Sequence, residues 1–295
     1  MLTHLTTDAP QACGHGVDTT FVALGPLKIA ILGVVQGITE LLPVSSTAHM
    51  RAIPAFLGWP DPGSAFSAAM QLAALVAVLS YFRADVAALW SGTVAGVRSR
   101  DWRDPRLRLP IGLVLASIPL VVGGALLSPV LNACQSPLRA PVVVGIACIV
   151  MAAFLALAEL LARHRRTAES VSLRDALIIG IAQAGALIPG VSRSGSTLTA
   201  ALGLGFTRED AARVSFLLGI PAIALAGFHE LWLLYRMGLS AEGWSVLAVG
   251  LVTSSVSSFI AIWGLMRFLE RFSTWPFIVY RALFGVALLA QVFLT

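Results

Sequence analysis

Long apolar runs free of charge set the pattern of this chain. No Asp, Glu, Lys or Arg occurs between Asp61 and Arg83, between Arg108 and Arg139, between Arg139 and Glu159, or between Glu242 and Arg267. A helix that crosses the hydrocarbon core needs about 20 apolar residues. These gaps therefore predict transmembrane helices over roughly 64–83, 109–129, 140–161 and 243–266. Two less clean runs predict further spans over 212–235, which carries His229 and Glu230, and 275–294, which carries Arg281. The runs are too long for barrel strands and lack the alternation of a half-buried strand.

Two more apolar stretches are interrupted. Residues 27–57 contain Glu40, Pro43, His49, Arg51 and Pro54, and residues 174–206 contain Pro189, Gly190, Arg193 and Gly195. Each reads as two short helices joined by a polar break. Non-helical backbone at membrane depth persists only when it is buried in protein or lines a wet cavity, so both stretches are predicted re-entrant hairpins. They also match each other. Gly33-x-x-Gln36 followed by Pro43-Val44-Ser45-Ser46 corresponds to Gly180-x-x-Gln183 followed by Pro189-Gly190-Val191-Ser192-Arg193-Ser194, and three spans follow each. A hairpin returns to its own side and three spans change sides, so the second unit is inverted relative to the first. Interrupted segments at matching positions of inverted halves point to a site near the midplane. The predicted fold class is an all-α polytopic membrane protein with six transmembrane helices plus two re-entrant helical hairpins in an inverted repeat. Residues 1–25 read as a polar tail and 26–295 as one membrane domain, its units about 26–167 and 168–295.

Composition agrees: 57% of residues are hydrophobic and 12% are charged, half the charged share of a soluble domain. This excludes a disordered chain, a coiled coil and a nucleic-acid module, and no nucleic-acid partner is expected. The net charge is +5, and Lys28 is the only lysine beside nineteen arginines. Position matters more than the sum. Arg98, Arg100, Arg103, Arg106 and Arg108 follow the first span, Arg163, Arg165, Arg166 and Arg174 the third, and Arg267 and Arg271 the fifth. Positively charged loops stay in the cytoplasm. The first hairpin then enters from outside, the second from the cytoplasm, and both termini lie outside. Cys13, Cys134 and Cys148 suggest no disulfide framework, and the spacing of Cys13 with His4 and His15 fits no metal site. His229-Glu230 is not part of an HExxH pattern.

The charges left inside the apolar stretches are costly and so mark function. Glu40 lies one helical turn after Gln36, and Ser45, Ser46, Thr47 and His49 follow the break. A carboxylate beside a histidine and hydroxyls can serve acid–base chemistry, nucleophilic attack or metal binding. In the second break, Ser192, Arg193, Ser194 and Thr197 accompany flexible glycines at the start of a helix. Free N–H groups, hydroxyls and a planar guanidinium describe an anion cradle suited to phosphate. It is no P-loop, since the lysine is missing. A resting Arg193–Glu40 pair would keep the empty site neutral. Arg281, inside the last span, either reaches the site from a third direction or pairs with a buried acid, Gln71 is placed to hydrogen-bond the first hairpin, and Arg208 and Arg213 read as interfacial.

Gln36-Gly37-Ile38-Thr39-Glu40-Leu41-Leu42-Pro43-Val44-Ser45-Ser46-Thr47-Ala48-His49 and Pro189-Gly190-Val191-Ser192-Arg193-Ser194-Gly195-Ser196-Thr197 resemble the two signatures of the undecaprenyl pyrophosphate phosphatase family of the bacitracin-resistance type. Weaker similarity runs through Gln71, Phe82-Arg83 and Tyr280-Arg281, and Ala48 and Ala73 stand where glycine is usual. The resemblance implies a hydrolase of the bacterial inner membrane that converts undecaprenyl pyrophosphate to undecaprenyl phosphate and inorganic phosphate. It thereby recycles the cell-wall lipid carrier and confers bacitracin resistance. The resemblance also implies a divalent cation, magnesium or calcium, with Glu40 and Gln36 as its ligands. Glu40, His49, Arg193 and a serine, Ser45 or Ser46, become the catalytic group, and Ser192, Arg193, Ser194, Thr197 and Arg281 hold phosphate. The lipid pyrophosphate and membrane lipids are the expected partners, and a homodimer stays open. A secondary transporter and a polyprenyl-phosphate flippase are the competing readings of the inverted repeat.

Overall fold

The computed structural model describes residues 19–100, 104–131 and 136–294. His4, Cys13 and His15 of the polar tail, and also Arg103 and Cys134, lie outside the described residues. Twelve α-helices make up the described chain: α1 Phe21–Leu41, α2 Ser46–Leu57, α3 Ser64–Ala69, α4 Gln71–Tyr81, α5 Arg83–Ser99, α6 Arg108–Leu131, α7 Pro141–Leu161, α8 Leu173–Ala184, α9 Arg193–Gly203, α10 Arg208–Arg236, α11 Ala241–Leu269 and α12 Trp275–Leu294. No strand occurs among the described residues. The chain is a multi-pass membrane protein: six helices, α1, α6, α7, α10, α11 and α12, are long and apolar enough to cross a membrane.

Local sequence explains the boundaries. Ser172 caps α8 in a capping box with Asp175, Thr207 caps α10 through the Asp210 N–H, and Ser240 caps α11 through the Gly243 N–H. Pro141 opens α7 at a position where its missing N–H costs nothing. Leu42 and Ile188 are extended because each precedes a proline, and there the two hairpins break. Four predicted spans match α6, α7, α10 and α11 within a few residues, and α12 matches the last, 275–294.

The span predicted over 64–83 takes a different form. It divides at Met70 into α3 and α4, and at Phe82 the chain turns by 83° into α5. The charge-free run ends at Arg83, immediately after the bend, and Asp85 lies in the first turn of α5; these charges mark the end of the run but not the angle of the turn. The sixth long apolar helix is instead α1, the first arm of the first hairpin. It is kinked at Gly25, whose φ of 74° lies in the left-handed region, just before Pro26. The predicted tail boundary at residue 25 coincides with this kink, although α1 itself begins at Phe21.

Packing obeys the exchange that an inverted repeat requires. α1 lies along α11 and its counterpart α8 lies along α6; α4 packs on α11 as α10 packs on α6; and α7 pairs with its own counterpart α12. Equivalent glycines make equivalent approaches. A Cβ at Gly33 would lie 2.8 Å from the Gly250 carbonyl oxygen, and one at Gly180 would lie 2.5 Å from that of Ala116. A Cβ on Gly145 meets the Gly285 carbonyl oxygen at 3.1 Å, and the reverse approach is 2.8 Å. Small residues let backbones close in where lipid supplies no hydrophobic drive between helices.

One end of the bundle is tied by half-buried ion pairs. Glu159 at the end of α7 accepts from Arg208 Nε at 2.7 Å and from Thr274 at 2.8 Å. Arg213 of α10 binds Asp85 of α5, and Arg166 reaches Asp175 at 2.6 Å. These contacts gather the arginine-bearing segments after α4, α7 and α11 on one side, as the predicted topology requires. Arg208 and Arg213 thus bind acids of neighbouring helices as well as lying at that end. At the opposite end, Arg51 and Asp61 approach to only 3.8 Å, and Lys28 stacks on Trp59.

Candidate active site

The two breaks meet in the middle of the bundle. Ser45 and Ser192 occupy equivalent positions, each preceding the second arm of its hairpin, and both take a left-handed φ, 74° and 68°. A residue with a side chain in such a conformation costs roughly 1–3 kcal/mol and persists where surrounding contacts over-determine it. Those contacts are present on both sides. Ser192 Oγ accepts from the Gly195 N–H at 3.1 Å, and the Ser45 carbonyl accepts from the His49 ring at 2.8 Å.

Glu40 sits at the centre, 7% exposed. Its Oε2 accepts from Ser46 Oγ at 2.6 Å and from Gln36 Nε2 at 3.0 Å, and its Oε1 accepts from Arg193 Nη2 at 3.4 Å. The spacing of Gln36 and Glu40 places both on one face of α1. The Arg193–Glu40 pair expected from the sequence is therefore present, and it links the first hairpin to the second. Three buried polar atoms around it lack partners: Gln36 Oε1, Ser45 Oγ and Arg193 Nη1. Unpaired buried polar groups are costly, and all three belong to residues of the two hairpins.

Other predicted residues hold the breaks together. Ser194 Oγ donates to the carbonyls of Glu40 at 3.0 Å and Leu42 at 3.1 Å. Thr197 donates to Arg193 O at 2.8 Å and pairs with Ser215 of α10. Arg281, 0% exposed, donates to Pro43 O at 3.2 Å, Gly190 O at 2.6 Å and Val191 O at 2.5 Å. Its guanidinium bridges carbonyls of both breaks and so supports the site through the backbone. His49 is 3% exposed; its Nε2 meets the Tyr280 hydroxyl at 2.7 Å and its ring stacks on Phe284 at 4.1 Å. Gln71 is the first residue of α4.

One neighbour escapes a motif-based reading. Gly219 of α10 leaves the space that Arg193 occupies: a Cβ there would overlap Nη1 and stand 3.2 Å from Cζ. The only sequence signal is a glycine inside a long apolar helix. Tyr280 lies within the weaker family similarity, but the sequence assigns it no role.

The family model of the bacitracin resistance protein BacA matches residues 29–287. The chain belongs to this family. It is 66% identical over 254 residues to a protein named undecaprenyl-diphosphatase 2 of Mesorhizobium japonicum, covering 86% of this chain and 96% of that one. Proteins named undecaprenyl-diphosphatase from Gloeobacter violaceus and Synechococcus elongatus are 51% and 48% identical, over 90% and 89% of this chain and 91% of each relative. The match to the BacA family begins within α1 and covers all of α2 to α11, so both breaks lie inside it.

Among the described residues no three His, Cys, Asp or Glu side chains form a metal cluster. The donor set fits a hard cation of another kind. Glu40 and the unpaired Gln36 Oε1 are oxygen donors on one helix face. Magnesium commonly takes one or two carboxylates and completes its shell with water and substrate phosphate oxygens.

Proposed function

We propose that this BacA-family chain is an undecaprenyl-diphosphatase of the bacterial cytoplasmic membrane, hydrolysing undecaprenyl pyrophosphate to undecaprenyl phosphate and inorganic phosphate. The observation that carries this reading is the Ser46–Glu40–Arg193 constellation: a hydroxyl donating to a carboxylate at 2.6 Å, beside a guanidinium with a free Nη1. A nucleophile on its base, next to a cation, is the arrangement that phosphoryl transfer uses. The names of the relatives supply the substrate.

Ser46 Oγ attacks the terminal phosphorus and its proton passes to Glu40. The anhydride P–O bond breaks, and its electron pair stays on the bridging oxygen of undecaprenyl phosphate. Glu40 gives the serine proton up to the departing bridging oxygen; water then attacks the phosphoserine, its proton passing to Glu40 and from Glu40 to Ser46 Oγ as the phosphorus–Oγ bond breaks. Arg193 and the N–H groups at the start of α9 hold the phosphate oxygens and stabilise the charge that develops. Gln36 and Glu40 are the residues that would hold a divalent cation, which when bound neutralises the pyrophosphate. Pairing Glu40 with Ser46 favours serine over His49 as nucleophile, because both ring nitrogens of His49 are engaged elsewhere.

Arginine-bearing segments gathered at one end support a cytoplasmic face there and a site reached from outside. Removal of the lipid pyrophosphate would confer the bacitracin resistance that gives the family its name. Purified chain with undecaprenyl pyrophosphate and magnesium is expected to release phosphate. Glu40→Ala and Arg193→Ala are expected nearly to abolish release, and full activity in both would overturn the site. A transporter or flippase instead predicts solute or lipid movement without phosphate release.

A further inference from the structure

The sequence pairs His49 with the reaction, yet its ring reaches the site by an indirect route. The Ser45 carbonyl can only accept, so Nδ1 of His49 carries the proton in their 2.8 Å bond. In the neutral ring, Nε2 then accepts from the Tyr280 hydroxyl at 2.7 Å. Phe284, one turn after Tyr280 on α12, lies against the His49 ring with 4° between the planes, and the Tyr280 ring lies at 9° to it. A chain of two hydrogen bonds therefore runs from Tyr280 through His49 to the Ser45 carbonyl. That carbonyl belongs to the left-handed residue just before Ser46. It also accepts the His49 backbone N–H at 3.3 Å.

We propose that Tyr280 is a positioning residue that acts on the reaction through His49. Its hydroxyl selects the Nδ1–H tautomer, that tautomer holds the Ser45 carbonyl, and the carbonyl fixes the first turn of α2 so that Ser46 Oγ lies on Glu40. The asymmetry of the repeat shows why this hairpin needs the device. In the second half, α9 packs along α7, with Gly190 so close that a Cβ would lie 2.6 Å from the Val144 carbonyl oxygen. In the first half, the backbones of α2 and α12 do not pack in this way, and the His49 stack with Tyr280 and Phe284 spans the distance. Tyr280 and Arg281, consecutive on α12, thus hold the first break from two directions, one through the Ser45 carbonyl and one through the Pro43 carbonyl.

The proposal rests on the active-site reading above, and Tyr280→Phe tests it, because the ring and its stacking survive while the donor is lost. The full chain in detergent, with undecaprenyl pyrophosphate and magnesium, is expected to lose about tenfold in kcat, the size of one neutral hydrogen bond, with KM unchanged. In a His49→Ala background the same substitution is expected to cost nothing more. By 15N NMR, with the His49 signal identified by its absence in His49→Ala, the wild-type ring is expected to be protonated at Nδ1 alone. Tyr280→Phe is expected to populate the Nε2–H tautomer. A raised KM with kcat intact, an equal loss in the His49→Ala background, or an unchanged tautomer would overturn the proposal. Failure of the active-site reading is distinguishable: Ser46→Ala would then keep its activity, whatever the tautomer result.

Discussion

Gly219 offers a perturbation whose effects on folding and activity have opposite signs. Its Cα faces the Arg193 guanidinium so closely that an added methyl would overlap Nη1 and stand 3.2 Å from Cζ. Carbon and nitrogen rest at about 3.5 Å or more, so Nη1 of a Gly219→Ala variant must withdraw by more than about 1 Å. It would then leave Glu40 Oε1, already 3.4 Å away, and misplace the donor intended for phosphate. A displacement of about 1 Å costs on the order of 100-fold in rate, or about 2.7 kcal/mol of transition-state stabilisation. The helix itself gains, because alanine is favoured over glycine in a helix interior by about 0.8–1 kcal/mol. Phosphate release from undecaprenyl pyrophosphate by the purified variant is expected to fall about 100-fold, with its melting temperature within a few degrees of wild type. Gly264→Ala is the control, since nothing lies within 4 Å of a Cβ there. It is expected to retain full activity. A Gly219→Ala variant with more than half the wild-type rate would refute the placement of Arg193.

Arg281→Gln is expected to lower thermal stability together with activity, because it strands three buried carbonyls; Arg193→Gln should abolish activity with a much smaller shift in melting temperature. Gly180→Ala should destabilise the fold by about 3 kcal/mol or more, because its Cβ would meet the Ala116 backbone at 2.5 Å, and detergent-solubilised thermal unfolding reads this directly. Chelation of divalent cations should stop phosphate release, and Gln36→Ala should raise the magnesium concentration needed to restore it. Burial pushes the Asp175 carboxyl up, but hydrogen bonds from Arg166 and Ser172 and the Arg166 charge outweigh it and hold the pKa at about 2. A depressed carboxylate stabilises the fold at neutral pH and loses that contribution as pH falls through its folded pKa. Asp175→Asn should therefore lower the melting temperature at pH 7, with the difference shrinking as the pH falls from about 4 toward about 2.

Much of this architecture is legible in the chain. Charge-free runs locate α6, α7, α10 and α11 because a membrane tolerates few charges, and the repeated Gly-x-x-Gln and serine positions disclose the inverted halves before any contact is known. The constellation of Glu40 with Gln36, Ser46 and Arg193 was readable because each partner is an unusual residue for an apolar stretch. What stays hidden is the partner of each group across the repeat. Ser194, Thr197 and Arg281 carry the chemistry of phosphate ligands, and their type cannot disclose that carbonyls and Ser215 occupy their donors. The bend at Phe82 is only half legible: Arg83 and Asp85 mark the end of the apolar run, but not the 83° turn of the chain there. Gly219 matters only through its contact with a distant segment, which local sequence does not record, and the Tyr280-Arg281 similarity marks Tyr280 without disclosing its His49 partner.

The claim at the centre of this account is that Ser46, activated by Glu40, receives the terminal phosphoryl group. Its most direct test is rapid acid quench of the full chain turning over undecaprenyl pyrophosphate labelled with 32P in the terminal phosphate, followed by peptide mapping. The account predicts label on the peptide that carries Ser46, absent in Ser46→Ala, whose phosphate release should also collapse. Label on another residue, or wild-type phosphate release by Ser46→Ala, would contradict it.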